Sequence, residues 1–100
     1  MQLFDLVEVG KGKFRGPQPD TQWQFGGQVM AQSLVAAMRT IPENRVVHSL
    51  HGYFLRPGSR EEPLRFGVEH VRDGRTFSAR RVITRQHDDV IFDLNVSFQE

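Results

Sequence analysis

Two stretches of the sequence carry groups able to do chemistry. The first is Phe25-Gly26-Gly27-Gln28, which opens a run of helix-forming residues continuing to Thr40. The leading N–H groups of a helix lack partners within it and carry partial positive charge. Gly26 and Gly27 present them without side chains, so an electron-rich substrate oxygen can approach the backbone; the same glycines equally suit tight packing of helix on strand. The second is His48, in a segment of alternating apolar residues. Its imidazole titrates near neutrality and suits proton transfer, or serves as a hydrogen-bonded histidine within a sheet. Gln28 and Gln32 can orient water but cannot take its proton at neutral pH. The helical run contains no acid; the nearest are Asp20 before it and Glu43 after it. Arg56, Arg80 and Arg81 can meet phosphate groups, although solvated strand faces and ion pairs are the simpler use. Arg80 and Arg81 point to opposite faces of a strand, as do His48 and His51, so the two histidines do not share a metal from a regular strand. His70 and His87 fall near turns, and no metal site is expected.

The elements that must position these groups follow from periodicity. The helix spans about Phe25 to Thr40, with Gln28, Gln32 and Arg39 near one line and almost everything else apolar or small. Such a helix needs burial over most of its circumference, which a curved sheet provides and a flat one does not. Pro42 closes it. Leu3 to Val9 reads as a short strand or a helical turn, and Lys11 to Thr21, with Gly12, Gly16, Pro17 and Pro19, as loop. Arg45 to Arg56 is a strand apolar on both faces, which suggests an inner position. Leu64 to Val71 and Thr76 to Arg85 alternate, joined at Asp73-Gly74 by a tight-hairpin signal. His87-Asp88-Asp89 is a polar turn. Val90 to Phe98 alternates most cleanly and reads as half-buried. The strands, about nine to eleven residues, are long enough to curl around a helix of about 22 Å at 1.5 Å per residue. The order is (β)-α-β-β-β-β, shared by the hotdog fold and the cystatin-like fold.

One hundred residues make one domain with a single core. A net charge of +1 gives no global field for nucleic acid, although eleven of the thirteen cationic residues are Arg. The absence of cysteine rules out disulfides and thiol chemistry and suits a reducing compartment. No apolar run approaches the roughly 20 residues of a membrane helix, and the first twenty residues do not read as a signal peptide. A cytoplasmic location and no membrane association are expected.

Several segments in register distinguish the two folds. They are Phe14-Arg15-Gly16, Phe25-Gly26-Gly27-Gln28-Val29, the stretch from His48-Ser49-Leu50-His51 through Arg56-Pro57-Gly58, the stretch from Arg72-Asp73-Gly74-Arg75 through Arg80-Arg81-Val82, and Ser97-Phe98-Gln99. Together they resemble the N-terminal half of acyl-CoA thioesterase II, the TesB-like family, from about residue 14 to the end. The resemblance implies an α+β hotdog fold, with an antiparallel curved sheet of about five strands wrapped around one central helix. Residues 1–100 would form one hotdog domain, the N-terminal half of a double-hotdog enzyme that hydrolyses fatty acyl-CoA to free fatty acid and CoA without a cofactor. In that family the water-activating Asp, Ser/Thr and Gln trio lies in the second half. His48 matches a histidine suspected of an active-site role. Phe25, Gly26, Gly27, Gln28 and Arg56 are the expected substrate contacts. The partners implied are acyl-CoA and a second hotdog unit, as a homodimer or a second domain, with no nucleic acid.

Two other readings stand beside this one. A hotdog that binds acyl-CoA or an acyl chain without hydrolysing it is supported by the acid-free helix. A cystatin-like inhibitor would need exposed apolar hairpin tips, whereas the tips at Arg72 to Arg75 and His87 to Asp89 are charged. Acyl-chain length preference is not legible in the sequence.

Overall fold

The computed structural model describes residues 5–17, 19 and 24–100. Leu3, Phe4, Asp20 and Thr21 therefore lie outside the described residues. The elements are β1 (Val7–Gly10), β2 (Lys13–Arg15), α1 (Phe25–Met38), β3 (Val46–Phe54), β4 (Arg65–Asp73), β5 (Phe77–Gln86) and β6 (Asp89–Gln99). The strands form one antiparallel sheet in the order β1-β2-β4-β5-β6-β3, and α1 packs on β4, β5 and β6.

Alternation makes the inner layer. Phe92, Leu94, Val96 and Phe98 on β6 turn to one side and are buried, as are Ser78, Val82 and Thr84 on β5. Against them α1 sets Val29, Ala36 and Ala37, with Leu64, Phe66 and Phe14 closing the far side. Small residues along the buried helix face let it sit close to the sheet. The Ser33 hydroxyl lies 2.7 Å from the Thr84 hydroxyl and donates to the Val29 carbonyl at 2.7 Å. The line of glutamines does not mark a wet face: Gln28 and Gln32 are both buried in this layer.

The sheet has six described strands rather than about five. The added strand is β2, inside the segment read as loop. Its three residues are too short to show a pattern and owe their conformation to pairing with β1 on one side and β4 on the other. The hairpin at Asp73-Gly74 is present but wider than the two-residue form. Asp73 pairs with Ser78, and the Gly74 N–H donates to the Phe77 carbonyl at 2.6 Å.

The position of β3 corrects a second expectation. It is an edge strand, paired only with β6 among the described strands. Apart from half-buried Gly52, its residues are exposed. Apolar character on both faces thus marks an uncovered edge here, not an interior strand. Exposed Leu50, Tyr53, Phe54 and Leu55 make that edge unusually apolar.

A polar clamp built on the buried Arg80 ties the end of α1 to the β4–β5 hairpin. The Arg80 guanidinium donates to the Thr40 hydroxyl at 2.8 Å and the Thr40 carbonyl at 3.0 Å, and meets the Asp73 carboxylate at 2.9 Å. Ser78 donates to the same carboxylate at 2.7 Å. Arg45 reaches in from the start of β3 to the Ser78 hydroxyl and to the carbonyls of Phe77, Gly74 and Arg75. Arg80 is consumed by this clamp and is not available to a substrate phosphate.

Candidate functional site

The first turn of α1 opens onto a notch of about 290 Å³ at one end of the sheet. Phe25 and Gly26 line it from the helix, Phe54 to Gly58 from the end of β3 and its following loop, and Ile91 from β6. The wall is largely apolar: Phe54 stacks on Phe92 with ring centroids 4.5 Å apart. A Cβ at Gly26 would stand 3.5 Å from the Phe54 ring, whereas one at Gly27 would meet nothing within 4 Å. The helix N-terminus is therefore bare on its Gly27 side, with no acid in the first turn and no side-chain cap from Gln24. Helix-leading N–H groups that Gln24 does not cap, beside an apolar notch, suit a ligand that combines a polarisable carbonyl with an alkyl or thioether body.

The loop after β3 fixes this geometry. Gln86, buried at the end of β5, donates to the carbonyls of Ser59 and Glu62 at 2.6 and 2.9 Å and accepts from the Ser59 N–H at 2.7 Å. The loop so held lays Gly58 against one part of the Phe25 ring and brings the Arg60 guanidinium to 5.6 Å from the ring centroid. Sequence reasoning passed over Gln86, because a polar residue at a strand end reads as solvent-facing.

The sequence-derived candidates divide as follows. Phe25, Gly26 and Arg56 line the notch. Gly27 is exposed beside it, and Gln28 is buried beneath the same turn, 2% exposed and not part of the lining. Arg56 is exposed and bonds the Asp89 carboxylate at 2.8 Å. His48 is exposed on β3, where the pairing with β6 is irregular between Val47 and Ser49. From Phe54 it is separated by most of the strand, about 20 Å at the usual rise. A single chain does not bring His48 to the notch. Arg81 is on the outer face, bonded to Asp93 at 2.6 and 3.1 Å, with Glu69 at 3.8 Å.

The profile of the family described as the acyl-CoA thioesterase N-terminal domain matches residues 14–99. Acyl-CoA thioesterase 2 of Haemophilus influenzae is 44% identical over 101 residues, which cover 99% of this chain and 35% of that protein. Acyl-coenzyme A thioesterase 8 of Mus musculus is 46% identical over 101 residues, covering 98% of this chain and 32% of that protein. Among solved structures, the acyl-CoA thioesterase II TesB2 of Mycobacterium marinum superposes with a TM-score of 0.89 at 47% identity, covering 98% of this chain and 36% of that chain. The chain spans about a third of the length of the curated relatives it matches.

Proposed function

Because the chain belongs to the family of acyl-CoA thioesterase N-terminal domains, and its fold is the hotdog fold, we propose that it supplies the N-terminal hotdog half of an enzyme that hydrolyses acyl-CoA thioesters. The observation that carries this reading is the apolar notch at a glycine-led helix N-terminus. The thioester carbonyl would accept from the N–H groups at Gly26 and Gly27, where negative charge develops during attack by water. Phe25, Phe54 and Ile91 would hold the apolar part of the substrate. A cytoplasmic location is proposed with this function.

The base is the group missing from the described lining of the notch. None of the described lining residues is acidic, and α1 carries no carboxylate. In this proposal the missing group comes from a second hotdog unit added at β3. The uncovered, apolar edge supports such an addition, since an exposed edge strand of this length is a template for pairing. A two-fold antiparallel continuation centred on residue 51 would set the His48 of a second copy opposite Phe54, beside the notch. That arrangement overcomes the separation between His48 and the notch within one chain. A second domain in the same polypeptide would serve the same purpose.

The test is thiol release from short, medium and long acyl-CoA esters by this chain alone, then with the second domain of a full-length relative supplied. Turnover in either arm supports the reading. Saturable binding of acyl-CoA without thiol release in both arms would favour a non-catalytic acyl-CoA binding module, the reading that the acid-free helix supports.

A further inference from the structure

Arg15, Arg65 and Arg85 stand in one row across three adjacent strands. Arg15 on β2 is the direct cross-strand partner of Arg65 on β4, and Arg65 is the direct partner of Arg85 on β5. Each adjoins a buried residue that faces the helix: Phe14, Phe66 and Thr84. The three arginines therefore share the outer face, where all are exposed. Lys13 lies on the same face, two residues before Arg15.

Like charges placed directly opposite one another in a sheet are destabilising. No ion pair among the described residues relieves this row. The ion pairs there are made by Arg56, Arg80, Arg81, His70 and His87, and none by Arg15, Arg65 or Arg85. Arg65 bonds only the His87 carbonyl. Arg81, four residues before Arg85 on β5, shows the contrast: it is matched to Asp93 on one side and Glu69 on the other.

Two members of the row, Arg65 and Arg85, line a formed depression, and Arg15 stands beyond its rim. Two adjoining hollows of about 360 and 220 Å³ share Lys13, Gly67 and Arg85. Gly67 leaves the floor open, a Cβ there meeting only the Ile83 carbonyl at 3.9 Å. Arg65, His87 and Asp88 line the first hollow, Lys11 and Glu69 the second. The cations outnumber the acids, on a protein whose net charge is only +1.

We infer that the Arg15–Arg65–Arg85 row is a binding site for a small molecule carrying several phosphate groups. Guanidinium groups recognise phosphate by paired N–H donors, and three of them on neighbouring strands span about 10 Å at their bases. That span fits phosphates held apart by a ribose and a diphosphate. Resting on the proposed function, the ligand is the nucleotide half of CoA, with its 3′-phosphate and diphosphate. The row is at the same end of the sheet as the notch: Arg85 pairs with Val90, next to the notch residue Ile91.

The test is calorimetric titration of the whole chain at low ionic strength with CoA, adenosine 3′,5′-bisphosphate, inorganic pyrophosphate and pantetheine, using wild type, R65Q, R65K and the R15Q/R65Q/R85Q variant. Expected are binding of CoA and the bisphosphate, weakened roughly tenfold or more by R65Q and less by R65K. Pantetheine binding should be unchanged. Undiminished CoA binding by the triple variant would overturn the row while leaving the thioesterase reading intact. Arginine-dependent binding of the bisphosphate, with no binding or hydrolysis of acyl-CoA, would uphold the row and remove CoA as its source. Pyrophosphate binding as tight as the bisphosphate would reduce the ligand to simple phosphates. No binding of any of the three phosphate ligands by the wild type would overturn the site.

Discussion

Gly58 lies against the ring of Phe25 so closely that a Cβ at position 58 would stand 2.6 Å from both Cε2 and Cζ and 2.9 Å from the Gln86 amide oxygen. The loop after β3, the end of β5 and the first residue of α1 thus meet at one point. Gly58→Ala must displace the ring, the amide or the loop. A loss of about 1–3 kcal/mol is expected by denaturant titration, with weaker binding of acyl-CoA because the notch changes shape. Wild-type stability and binding in this variant would show that the contact yields freely.

Gln86 acts on the notch through the loop rather than by touching a ligand. Gln86→Ala removes three hydrogen bonds to the backbone of Ser59 and Glu62 and leaves half-buried peptide groups to find other partners. The expected cost is about 1–3 kcal/mol. Hydrogen exchange should rise at residues 58–62 before it rises in β5 or β6. A uniform change across the sheet would mean that Gln86 supports the core instead.

Asp73 sets the acid limit of the hairpin clamp. Hydrogen bonds from Ser78 and then Arg80 hold its carboxyl below the ordinary value of 3.8. A carboxyl lowered by folding contributes its stability in full above its unfolded value and loses it as pH falls through the lowered one. The Asp73 contribution is therefore constant at neutral pH and disappears in the range below about pH 4. Because Asp73 is half exposed, that contribution is of the order of 1 kcal/mol. Asp73→Asn should lower Tm at pH 7 and flatten the fall of Tm on acidification. An unchanged acid profile would assign the loss to other carboxylates.

His87 occupies the β5–β6 turn with a positive φ of 55°, between Gln86 and Asp89, which pair with each other. A residue with no Cβ relieves such a position, so His87→Gly should raise stability by about 1 kcal/mol, offset in part by the greater freedom of glycine in the unfolded chain and by loss of the 3.5 Å contact with Glu62. Thermal denaturation decides it, and a fall in Tm would show that the Glu62 contact outweighs the backbone term.

His48→Ala, made in an enzyme that contains both hotdog units, should lower turnover at least about tenfold while the fold stays intact. Unchanged turnover would return His48 to a structural role on the edge strand. Sedimentation at micromolar concentration tests the same geometry from another side, because a strictly monomeric chain would remove the proposed pairing of two copies through β3.

The sequence by itself determined the single long helix, the four long strands after it and the side of β6 that is buried. Local chemistry settles those: Pro42 bars any helix from running through it, and the alternation from Val90 to Phe98 has one apolar face in any context. The segments around Gly26-Gly27 and His48 were likewise enough to indicate a family. Tertiary structure decided the rest. β2 exists because β1 and β4 lie on either side of it, and β3 is an edge because the strand order places only β6 beside it. The glutamines of α1 went inward, Arg80 became part of a clamp with Asp73 and Thr40, and Arg15, Arg65 and Arg85 came into one row. Each outcome depends on which distant residue ends up opposite another, a matter of register across the sheet rather than of neighbours along the chain.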